Sequence, residues 1–197
     1  PHTPLSSLHK GMLAAGLLSM LAACGGGGGS SPNTDQPAAP STTAVSTTVI
    51  DGPLQNAVVC LDKNSNGACD EGEPSGKTDA SGKATVDVDN ADLGRFPILA
   101  IVGTDALDAD TGAVPVPYTL RAPADQTGVV SPLTTMVQAY LETTGSSSAD
   151  AAAAIQAQLG LGISPLSNFV QDSSADSKLA GTLARLIVVA KQEQRRA

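Results

Sequence analysis

Between Asp62 and Glu73 the chain carries acids, amides and glycines at fixed intervals, and few local conformations accommodate that spacing. Asp62, Asn64 and Asn66 alternate, Gly67 follows, and Glu73 closes the segment six residues later, so every position of D-x-[DN]-x-[DN]-G-x5-E is filled. Alternate side chains in a tight turn point toward a common centre. The divalent ion that suits six to eight hard oxygens and a bidentate closing carboxylate is Ca²⁺. On this template Asp62, Asn64, Asn66 and Asp70 supply side-chain oxygens, Ala68 its carbonyl, and Glu73 two oxygens, while Gly67 permits the turn. Three carboxylates and two neutral amides give a modest charge, so the expected dissociation constant is on the order of 10⁻⁴ to 10⁻³ M. Asn-Gly turns also occur without metal, and a metal-free polar loop is the competing reading.

Around this loop the residues Cys60-Leu61-Asp62 through Glu73-Pro74, then Thr78-Asp79-Ala80-Ser81-Gly82-Lys83, resemble the D-x-N-x-N-G-x-x-D-x-G-E-P loop and T-D-x-x-G hairpin of bacterial cell-surface β-sandwich modules. Those modules are the calcium-containing repeat domains of adhesins and the carboxypeptidase-regulatory-like, transthyretin-like domains. The likeness covers about residues 44–120. Val130-Ser131-Pro132-Leu133-Thr134-Thr135 is also similar to a helix start in a group of proteobacterial surface lipoproteins. The resemblance implies a build and a location rather than a reaction. Dockerins share the loop chemistry but need two copies, and this chain has one.

The first residues speak for export. His9 and Lys10 form a small basic region, Gly11 to Ala23 is apolar, and Leu21-Ala22-Ala23-Cys24 is a lipobox. A run of about thirteen residues falls short of the roughly twenty needed to span a bilayer core. A plain secretory signal with an incidental cysteine is the alternative. Resemblance to lipoprotein signals implies a diacylglyceryl thioether on Cys24 and an acylated new N-terminus, and two or three acyl chains anchor stably. Gly25 rather than Asp after Cys24 implies, by the rule of that class, transfer to the outer membrane. Five glycines open a tether rich in Ser, Pro and Thr up to Thr43, with a mean reach of about 25 Å. The opening on Pro1 instead of Met, and an apolar helical face running to Ala197, lead us to expect a piece of a longer chain.

Of three cysteines, Cys24 is assigned to lipid, which leaves Cys60 and Cys69. In an oxidising envelope they can pair, and two buried thiols are the other reading. Zinc lacks partners, because His2 and His9 both lie in the signal. A net charge of -8 argues against nucleic acid, and 2 % aromatics with no Trp supply little for stacking bases or sugars.

Strand signals begin near Ala44. Val45–Ile50 and Ala57–Leu61 are apolar and β-branched; Ala84, Val86 and Val88 alternate with polar residues; Ile98–Val102 reads as covered on both faces. Val114 to Leu120 alternates too, and Pro115 and Pro117 make it an edge strand. From Ser131 the period becomes helical, with Ser131 as N-cap, Pro132 at the first position and Leu133, Met136, Val137, Tyr140 and Leu141 on one face up to Gly145. Ser148 is expected to cap a helix ending at Gly160, and a last helix carries Leu179, Leu183, Leu186, Ile187 and Ala190. Ser164-Pro165-Leu166 repeats the Ser131 start signal, and shared capping chemistry accounts for the likeness better than a repeat does.

The expected organisation is α+β: signal 1–23, linker 24–43, a small antiparallel β-sandwich, transthyretin-like or Ig-like, over 44–121, and a helical region over 122–197. The resulting expectation is a lipid-anchored outer-membrane protein, periplasmic or surface-facing, with a calcium-stabilised sandwich. Its role is structural or adhesive, its partner an envelope protein or glycan, and no catalytic residue is assigned. Without histidine after residue 9, Ser-His and Cys-His catalysis is excluded there. The alternative is an envelope glycan hydrolase fragment in which Asp105, Asp108 and Asp110 approach Asp70 or Glu71. The same three acids could gather a second cation, although they meet no ligand template and a solvated turn explains them equally well.

Overall fold

The computed structural model describes residues 41–196, so the signal, most of the linker and Cys24 lie outside the described residues. The fold is α+β, a small β-sandwich with helices packed on it. One sheet orders β10 (Val129–Val130), β1 (Thr42–Val49) and β5 (Lys83–Asp89). The other orders β4 (Ser75–Lys77), β3 (Val58–Leu61), β6 (Ile98–Val102) and β9 (Tyr118–Ala122), antiparallel throughout. A short third sheet joins β2 (Leu54–Gln55), β7 (Leu107–Asp108) and β8 (Gly112–Ala113). Among the described residues the one parallel pairing is β1 with β10, Thr48 opposite Val129.

The alternation expected over 83–89 is present in β5, where Ala84, Val86 and Val88 are buried and Lys83, Thr85 and Asp87 face water. They meet Val59, Leu61, Ile98, Ala100, Val102, Tyr118 and Leu120 from the facing sheet. β6 buries residues of both parities, Leu99 as well as Ala100, as its continuous apolar run implied. The expected strand over Val114–Leu120 is shorter. Pro115 and Pro117 cannot donate to a ladder, so pairing begins at Tyr118, and β9 does lie at the edge of its sheet.

Three helices come next among the described residues: α1 (Pro132–Thr144), α2 (Ser148–Leu159) and α3 (Ala175–Arg196). Ser131 caps α1 through a reciprocal pair, its hydroxyl accepting from Thr134 N at 3.1 Å while Ser131 N donates to Thr134 Oγ1 at 2.8 Å. Gly145, at φ 70°, ends the helix in the left-handed region. The cap of α2 is Ser147 rather than Ser148: Ser147 Oγ accepts from Asp150 N, and the Ser148 hydroxyl instead donates to Asp125. The Ser164 start signal does not nucleate a helix. Ser164 closes a turn through Leu166 N and Ser167 N, and Asn168 Oδ1 diverts Val170 N into another.

What distinguishes the first Ser-Pro-Leu motif is its place beside a strand. Thr134 Oγ1 donates to the Arg121 carbonyl at 2.7 Å, Thr135 Oγ1 accepts from Arg121 N at 2.9 Å, and the Arg121 guanidinium grips Glu142 with two bonds of 2.9 and 2.6 Å. The start of α1 is thereby stitched to β9. The buried face of α3 also departs from expectation. Ala180, Ala184 and Val188 are buried, with Leu183 and Ile187 packed beside them, whereas Leu179 and Leu186 stand 41 % and 60 % exposed. Small residues allow the helix close to the body, so the larger ones flank the contact. No helix among the described residues is long and apolar enough to cross a membrane.

Ser131→Ala removes one cap bond and should lower stability by about 1 kcal/mol. Thr134→Val orphans the buried Ser131 amide and removes the shorter of two hydroxyl bonds to the Arg121 carbonyl, and should cost more, about 2–3 kcal/mol. Urea denaturation of both variants checks the order.

Candidate metal centre

The loop 62–73 leaves β3 and returns as β4, so two paired strands hold its ends. Asp62 is fully buried, and its carboxylate accepts from Asn66 N and Gly67 N, each at 3.1 Å. Asn64 Oδ1 accepts from Asn66 N at 3.0 Å, and Asn66 Oδ1 from Ala68 N at 2.8 Å. These local bonds curl the chain around the Asp62 carboxylate. Gly67 sits at φ 76°, as a turn glycine should, and Ser65 joins it in the left-handed region at φ 59°.

Both amide groups then converge on Asp70, Asn64 Nδ2 reaching its Oδ2 at 2.8 Å and Asn66 Nδ2 at 2.6 Å. Glu73 closes the loop with its two oxygens on different amides, Lys63 N at 2.7 Å and Asp70 N at 3.1 Å. The structure thus brings Asp62, Asn64, Asn66, Asp70 and Glu73 into one network. The carbonyl of Ala68 lies 3.9 Å from Cys60 Sγ, against the sulfur bridge. That bridge joins Cys60 to Cys69, with Cα atoms 5.7 Å apart, so the buried-thiol reading is set aside. Lys63 anchors the loop's first turn outward, its Nζ 2.6 Å from Asp92 Oδ2 and 5.8 Å from the centre of the Phe96 ring.

Could such a set hold a cation? Among the described residues no three His, Cys, Asp or Glu side chains are gathered closely enough to hold an ion by themselves. Any binding here therefore needs the amide oxygens. Asn64 and Asn66 turn their nitrogens toward Asp70 while their oxygens accept from Asn66 N and Ala68 N, so offering those oxygens to an ion requires both side chains to give up these bonds. By composition the set is one of carboxylate and amide oxygens, the hard donors that Ca²⁺ takes.

The other acids separate. Asp105 is exposed and pairs with Lys77 at 3.8 Å, while Asp110 pairs with Arg185 of α3. Asp108 is buried in its own turn, accepting from Asp110 N at 2.8 Å and Thr111 N at 3.3 Å. Asp108 and Asp110 border Asp51, a residue that no motif or spacing singles out. Asp51 is 5 % exposed, and its Oδ1 receives no hydrogen bond. Burial, with the charges of Asp108 and Asp110, pushes its carboxyl up to about 7 against a pull downward from Arg185. In the sequence Ile50-Asp51-Gly52-Pro53 looks like an ordinary turn; the residues around Asp51, from Asp108 and Tyr118 to Arg185 of α3, lie far along the chain.

Comparison with family models, with curated proteins and with solved structures finds no match.

The sulfur bridge closes a loop of about ten residues, so a Cys60→Ala, Cys69→Ala variant should lose about 2–3 kcal/mol of stability. Urea midpoints of the oxidised protein and the double variant provide the comparison.

Proposed function

We propose that this chain is a lipid-anchored protein of the cell envelope whose β-sandwich carries a structural Ca²⁺ in the loop 62–73, and that its role is structural or adhesive. The observation that carries the reading is the convergence of all five loop side chains on one network beside the Cys60–Cys69 bridge. Asp62, Asn64, Asn66, Asp70 and Glu73 would hold the ion, with the carbonyl of Ala68. A bound Ca²⁺ would supply positive charge to the three carboxylates of the loop. The protein's own part is to hold the loop ends at fixed separation: β3 and β4 pair Cys60 with Ser75, and the bridge restrains the middle. Less ordering is then required when the ion enters.

The exported, lipidated location rests on the lipobox at Cys24 and the tether after it. An oxidised cysteine pair suits that compartment. An acidic chain with few aromatics suits a protein or divalent-ion partner better than nucleic acid.

Calorimetric titration of Ca²⁺ into the full, oxidised chain should show one site with a dissociation constant of about 10⁻⁴ to 10⁻³ M. At tenfold excess over that constant the fold should gain about 1.4 kcal/mol, and EDTA should remove the gain. Glu73→Gln should abolish the heat. No heat from the parent chain at millimolar Ca²⁺ would refute the metal reading. Separately, a fatty-acid label should enter the chain in a Gram-negative host and be lost in Cys24→Ser; equal labelling of both would refute the anchor.

A further inference from the structure

Asp51 stands where the sandwich meets α3. Ile50, just before it, is fully buried in the apolar cluster with Ala180 and Ala184 of α3, and Asp51 itself floors an open cleft of about 420 Å³ bordered by that helix. The corner has little room to move. A side-chain carbon on Gly52 would come within 2.5 Å of Asp108 Oδ1 and 2.9 Å of the Asp110 carboxyl carbon, so both neighbouring acids press against this backbone. The groups that face Asp51 come from every element around it: Asp108 and Asp110 from the β7–β8 turn, Arg185 from α3 and the buried Tyr118 of β9. Asp172 and Lys178 line the cleft farther out. Arg185 is already engaged by Asp110. Three carboxyl groups thus share one guanidinium, and the innermost of them has an oxygen with no donor.

We infer that the Asp51 corner is a pH-sensitive latch: with Asp51 protonated α3 seats against the sandwich, and ionisation of Asp51 loosens the helix. Ionisation places negative charge beside two further acids whose one facing guanidinium is engaged by Asp110, with Oδ1 receiving no hydrogen bond to offset its lost hydration. Releasing α3 admits water to the sealed Oδ1 and exposes Ile50 and the Ala180–Ala184 face. Linkage sets the direction. A carboxyl that ionises near pH 7 when covered and near its ordinary 3.8 when hydrated favours the covered state fully below about pH 4, and that preference is gone above about pH 7. The latch does not depend on the metal reading, since Asp51 lies outside the loop 62–73.

Hydrogen exchange of the full chain, corrected for the intrinsic chemical rate and followed from pH 5 to pH 8.5, tests it. Protection of peptides from 175–196 should fall by about tenfold per pH unit up to pH 7 and then level off, while β5 and β6 stay protected. Asp51→Asn should flatten that profile to less than twofold. A flat profile in the parent chain, or an equally steep one in Asp51→Asn, overturns the latch. If the variant does not fold, the ¹³C carboxyl titration of Asp51 in the parent chain decides: a midpoint near 7 supports the latch, and one near 4 overturns it.

Discussion

Val49 and Ile50 are neighbours in sequence, and the pleat of a strand sends them to opposite sides. Val49 enters the core between the sheets, and Ile50 enters the cluster formed by Leu133, Leu161, Phe169 and the small-residue face of α3. Their amides are tied as well, Val49 N to Gly82 O at 2.7 Å and Ile50 N to Val130 O at 2.9 Å. Sandwich and helices are therefore two faces of one strand end. Asp51, the next residue along the chain, inherits a burial that no neighbour in sequence would have imposed.

The loop and the latch illustrate two ways of managing acids. In the loop, backbone amides and two asparagine side chains surround the carboxylates of Asp62, Asp70 and Glu73, so each oxygen that turns inward has a partner. At the corner, Asp108 uses the amides of its own turn and Asp110 uses Arg185, leaving Oδ1 of Asp51 without a donor. In the first case hydrogen bonds meet the carboxylates; in the second, burial and the neighbouring acids outweigh the pull of Arg185 on Asp51.

Features set by near neighbours were legible in the sequence. The alternation of β5, the Ser131 cap, the glycine ends of α1 and α2 and the turn at Gly67 all depend on residues within a few positions of one another. Features set by distant packing were not. The choice of Ala180 and Ala184 over Leu179 and Leu186 as the seated face of α3 depends on how near that helix can approach Ile50, which hydrophobicity alone does not encode. The same limit hid Asp51. Even the Ser164 motif, chemically close to the Ser131 motif, forms a turn: Ser167 and Asn168 stand where the first motif has Thr134 and Thr135, whose hydroxyls bond Arg121.

The parallel pairing of β1 with β10 joins segments about eighty residues apart. While a chain emerges stepwise from a ribosome or a translocation channel, β1 can find β5 early but keeps the end of its other edge, at Thr48 and Val49, bare until Val129 and Val130 arrive. A bare edge is a template for illegitimate strand addition. The threonines and serine of β1, outnumbering its apolar residues, are well suited to a strand that must wait in that condition without recruiting a neighbour.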